Sequence, residues 1–119
     1  VSSERAILKK YDMIGGQGTS GDMSADILSE IVHLYKIDQV SLQVQWTSAD
    51  AIGVIEVEGS VDGETFTALT FSPALTQPNS DNGLYLINMA LIPFMHIRVR
   101  YTRTSGSGTL SVKASAKGN

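Results

Sequence analysis

The chain has 119 residues, a formal charge of −3, 42% hydrophobic residues and no cysteine. That is one domain's length with material for one core, and it is too apolar for a disordered segment. The acidic balance argues against general attraction to nucleic acid or anionic lipid, and the missing thiols exclude disulfides, thiol catalysis and thiolate metal sites.

Residues 1–22 read as a flexible N-terminal arm. Gly15-Gly16-Gln17-Gly18-Thr19-Ser20-Gly21 holds four glycines in seven positions. A phosphate-cradling loop needs a Lys before its Ser or Thr and a strand leading into a helix, and neither is present. A linker is the better reading. Ile7, Leu8, Tyr11, Met13 and Ile14 are more apolar material than a spacer needs, so they are the candidate partner-binding residues of the arm. No charged-then-apolar leader opens the chain and no apolar run is long enough for a bilayer. Synthesis in a reducing cytoplasm without membrane attachment is therefore expected.

Residues 23–119 read as a β-sandwich domain. Residues 23–32 form the first strand candidate. Val40, Leu42, Val44 and Trp46 alternate with Ser41, Gln43, Gln45 and Thr47, the period of a half-buried strand. Trp46 is expected in the core with a partner for its indole N–H. Residues 53–71 read as a hairpin about Asp62-Gly63, with Ile55, Val57 and Val61 inward and Glu56, Glu58 and Ser60 outward. A long polar loop with Pro73 and Pro78 follows. Residues 84–92 are apolar on both faces, as expected of a strand buried on both sides or facing another subunit. Ile97, Val99 and Tyr101 then face in, with His96, Arg98, Arg100 and Thr102 out. Leu110, Val112, Ala114 and Ala116 close the sandwich. The sum is an all-β, antiparallel sandwich or jelly roll of about seven or eight strands.

Chemistry-bearing patterns are sparse. His33 and His96 lack a metal-ligand spacing and read as surface histidines. No Gly-x-Ser-x-Gly elbow or acid/base pair around a histidine occurs. Glu56 and Glu58 share a strand face, where cross-strand Arg98 and Arg100 are the expected partners. No catalytic residue, cofactor or metal site is expected. Arg98, Arg100, Tyr85 and Phe94 are the candidate surface contacts.

Two stretches carry a resemblance. Gly59-Ser60-Val61-Asp62-Gly63-Glu64-Thr65-Phe66-Thr67-Ala68-Leu69 resembles the hairpin of discoidin-like jelly-roll modules. The run from Phe94 through His96-Ile97-Arg98-Val99-Arg100-Tyr101-Thr102-Arg103-Thr104-Ser105-Gly106-Ser107-Gly108-Thr109-Leu110 is similar to a strand–turn–strand of small tailed-bacteriophage and prophage structural proteins. The resemblance covers about residues 23–117. It implies a non-enzymatic virion component. The expectation is a capsid decoration (cement) protein on the outside of a bacteriophage head, with major capsid protein subunits as partners and a homo-oligomeric state, dimer or trimer. The alternative is a carbohydrate-binding or adhesion module on a tail or fibre, with a glycan as ligand.

Overall fold

The computed structural model describes residues 7–90 and 92–118. Its centre is the strand Gln39–Thr47 (β4), in which Val40, Leu42, Val44 and Trp46 are buried while Gln43, Gln45 and Thr47 are exposed. Eight further strands surround it: β1 (Ile7–Ile14), β2 (Ile27–Leu28), β3 (Val32–His33), β5 (Ile52–Ser60), β6 (Thr67–Ala68), β7 (Gly83–Ala90), β8 (His96–Ser105) and β9 (Thr109–Gly118). They form two antiparallel sheets, ordered β1-β9-β4-β7 and β2-β8-β5-β6, with β3 also on β8.

β2 and β3 occupy one position. The break between them falls at Ser29, whose N–H donates to the Val99 carbonyl and whose hydroxyl accepts from the Val99 N–H at 2.8 Å. The side chain thus replaces a ladder partner where the strand is interrupted. Taken as one strand, the pair completes an eight-strand jelly-roll connectivity in which successive strands alternate between sheets except at β5 and β6, which pair within one sheet. The fold class is therefore the expected all-β sandwich, with the first strand candidate split in two.

The core lies between the inner faces. Leu42, Val44, Leu110 and Val112 from one sheet meet Ile55, Val57, Ile97, Val99 and Tyr101 from the other. Burial of this apolar area is the main favourable term in the fold.

The arm assigned to residues 1–22 is corrected from Ile7 onward. β1 pairs along β9 from Ile7 opposite Gly118 to Ile14 opposite Val112, with a register shift between Asp12 and Ile14. The shift carries both Met13 and Ile14 into the core, where they are fully buried. The glycine run is no spacer either. The Leu110 N–H donates to the Gly21 carbonyl, and a Cβ at Gly21 would collide with the Leu110 carbonyl oxygen. Composition suggested flexibility where the requirement is close backbone approach. Residues 1–6 lie outside the described residues.

Val61 was expected inward and is 73% exposed. β5 ends at Ser60, and residues 61–66 form a loop rather than a two-residue turn. Glu58 and Ser60, expected outside, are buried because Arg98, Arg100 and this loop cover them. Trp46 is buried as expected, but its indole N–H has no partner among the described residues. The indole meets the Tyr85 ring edge-on, with centroids 5.8 Å apart.

Candidate docking surfaces

Strand register assembles two outer faces. On the five-stranded sheet, cross-strand pairing sets His96 between His33 and Ser60, Glu58 beside Arg98, and Arg100 between Glu56 and Leu28. Both arginines converge on Glu58: Arg98 Nε donates to Oε1 at 2.7 Å and Arg100 Nε to Oε2 at 3.2 Å. The expected charge ladder is present, drawn onto one carboxylate. Burial pushes the Glu58 carboxyl up, but hydrogen bonds and charge from Arg98 and Arg100 outweigh it and hold the group below its usual value. The Arg98 guanidinium also lies 3.9 Å from the Phe66 ring centroid, a cation–π contact.

Next along the face, the Nδ1 atoms of His33 and His96 stand 2.8 Å apart, with the rings at 86°. The contact requires one Nδ1–H and one bare Nδ1, since two protonated rings would oppose two donors. Sequence reading treated the two histidines separately. The sole signal was the outward phase of His96 on its strand, since His33 fell just past the first strand candidate at residues 23–32.

The loop over this face is held by Asp62. Its carboxylate accepts from the Glu64 N–H at 2.8 Å, the Thr65 N–H at 2.9 Å and the Ser60 hydroxyl at 3.0 Å. These bonds draw its pKa down to about 2. Gly63 takes the expected positive φ, 78°.

The outer face of the four-stranded sheet is different. One cross-strand row runs Asp12, Lys113, Gln43, Leu86 and the next runs Lys10, Ser115, Ser41, Asn88. All of these but Asn88 line an open groove of about 440 Å³. The Ser41 hydroxyl donates to Asn88 Oδ1 at 2.7 Å, tying β4 to β7 at its far side. This face mixes both charges with neutral donors and acceptors around an exposed leucine.

Of the residues singled out in the sequence, Arg98 and Arg100 come together through Glu58. Met13 and Ile14 are core residues, and Tyr11 is half-buried at the groove. A role for the three as arm contacts is overturned, because β1 belongs to the sheet. Ile7 and Leu8 pair through their backbones with β9, and their side chains lie outside the described residues. Tyr85 and Phe94 were expected as exposed rings. Both are half-buried against the core, with Tyr85 on the inner face of β7 and Phe94 packed over Gly59. Burial pushes the Tyr85 hydroxyl up to about 12.

Among the described residues, no group of three or more His, Asp or Glu can hold a metal ion. No helix among them is long and apolar enough to cross a membrane.

No known protein family matches the chain, and no curated protein matches it. Among solved structures the chain is similar to the SPBc2 prophage-derived protein YomS, with a TM-score of 0.65 and 10% identity over 98% of each chain. The two share a fold along their whole length. A looser likeness, with a TM-score of 0.41 and 15% identity over 92% of each chain, links it to CBM32-1 from a family 31 glycoside hydrolase of Clostridium perfringens. At that score it carries no argument.

Proposed function

We propose that this protein is a non-enzymatic structural component of a tailed-bacteriophage virion, of the capsid decoration type, that binds the outside of the head and stabilises it. The observation that carries the reading is the outer face of the four-stranded sheet. Lys10, Asp12 and Lys113 lie among Ser41, Gln43 and Ser115 around Leu86, in an open groove on a rigid sandwich. Mixed charge, amide and hydroxyl groups about an apolar centre suit a protein partner. The fold shared with a prophage-derived protein supports the same reading. The partners are then major capsid protein subunits, with many copies on a symmetric shell raising avidity.

Attachment runs through this face rather than through an arm, since β1 is built into the sheet. A sugar-binding face needs a flat aromatic platform. Among the described residues, Tyr11 is the one ring lining this groove, and it is half-buried. The test is co-sedimentation with expanded phage heads, using the full chain and Lys10→Glu/Lys113→Glu. The full chain sediments with heads and the variant does not, while both melt alike. Binding to a glycan array with no affinity for heads would replace this reading with the carbohydrate module of a tail or fibre.

A further inference from the structure

We infer that the protein forms a two-fold homodimer by pairing β7 antiparallel with β7 of a second copy. The inference does not rest on where the protein works.

A sheet edge presents unpaired N–H and C=O groups, and proteins guard such edges with short strands, charges, bulges or covering loops. Three of the four edges here are guarded in these ways. The β8 edge is capped by β2, Ser29 and β3. The β5 edge is covered by β6, by the Leu69 N–H on the Val57 carbonyl, and by the Gln77 amide, which bonds both backbone groups of Ile55. Asn79 and Ser80 seal its start at Ile52 and Ala51. β1 carries Lys9, Lys10, Asp12 and a register shift.

β7 lacks charge, proline and bulge, and the loop of residues 71–76 beside it makes no backbone hydrogen bond to it. Its eight residues, Gly-Leu-Tyr-Leu-Ile-Asn-Met-Ala, contain no charge and no proline, and the ladder to β4 runs without a break. Among the described residues, no backbone group hydrogen-bonds its outer edge. Leu84 and Leu86 are each 64% exposed beside that edge. Phe71, Pro73 and Leu75 of that loop stand off from residues 85–88 of the strand, leaving a groove of about 290 Å³ between loop and edge.

A second copy is the occupant these features fit. A two-fold axis pairs a strand with itself antiparallel, and an uncharged strand meets itself without like-charge repulsion. Register parity adds a condition: opposed residues must share a face. An axis through Tyr85 meets it, setting Leu84 of one copy against Leu86 of the other, twice. The four leucines then pack side by side on the outer face, with Leu86 still bordering the groove, and the two four-stranded sheets become one continuous sheet.

Sedimentation equilibrium of the full chain tests this. The expected mass is twice the 12.8 kDa of one chain. Leu84→Lys/Leu86→Lys places like charges across the axis and raises the dissociation constant at least about 100-fold. The variant then sediments as a monomer with an unchanged circular dichroism spectrum. Should it fail to fold, Leu84→Lys alone and concentration-dependent amide protection across residues 84–90 of the native chain give the same reading. A native monomer at the highest soluble concentration, a trimer, or a dimer that survives folded variants overturns the inference. So does β7 protection that arises only when phage heads are added, which would assign the edge to another protein.

Discussion

Trp46 and Gly83 stand opposite one another across the β4–β7 ladder, and the indole occupies the space in which a side chain at position 83 would begin. The absence of a Cβ there lets the largest side chain of the core lie flat on the neighbouring strand. Gly83→Ala forces the ring out of place and is expected to cost about 1–3 kcal/mol. Trp46→Ala leaves a cavity and costs about 3–5 kcal/mol. The two changes are coupled, so Gly83→Ala costs less once Trp46 is truncated. A double-mutant cycle in urea measures this; strict additivity would show that the ring does not rest on Gly83.

Glu58 neutralises two arginines from a largely buried position, with 11% of its side chain exposed. Glu58→Ala leaves Arg98 beneath the loop without its partner. The expected loss is about 3 kcal/mol, the low end for breaking a buried pair, because Arg100 can turn to solvent. The conservative Glu58→Gln recovers part of it by keeping an acceptor for Arg98. Chemical denaturation of the three proteins checks the order native, Gln, Ala.

Asp62 gives the loop at residues 61–66 an acid dependence with a defined sign. Its folded pKa is depressed from 3.8 to about 2. The stabilisation is therefore fully present above about pH 4 and is lost as pH falls through about 2. Asp62→Asn is less stable than the native chain at neutral pH, and the gap closes as pH falls across that window. Acid titration of both proteins by thermal melting reads the gap. A gap of constant size would mean that the carboxylate does not hold the loop.

Deletion of residues 1–22 is expected to abolish cooperative folding. It removes β1 and opens two core sites, Met13 and Ile14, each fully buried. Large-to-small changes at such sites cost about 2–5 kcal/mol apiece, against a typical domain stability of about 5–15 kcal/mol. Thermal melting and circular dichroism of the truncated chain check this. A native-like melt would show that β9 can serve as an edge.

Alternation along single strands made much of the fold legible. The inward sets of β4, β8 and β9 were readable because side chains on a strand have a period of two and one face must be dry. The pairing of Glu58 with Arg98 was readable for the same reason, as opposite charges held in outward phase. β1 was not, since Lys9 and Lys10 mask its phase and the shift after Asp12 breaks it. The glycine run misled because composition is blind to how near another backbone passes.

His33 and His96 meet across 63 positions of sequence, and Gly83 comes under Trp46 from the far side of a hairpin and a crossover. No local pattern encodes such meetings. Periodicity belongs to one strand and follows from its own residues, so the amino-acid order sufficed for the inner faces of β4, β8 and β9 and for the sandwich class. Which strands become neighbours depends on how the whole chain closes around its core. That closure alone made residues 7–14 a sheet strand and left β7 as the bare edge.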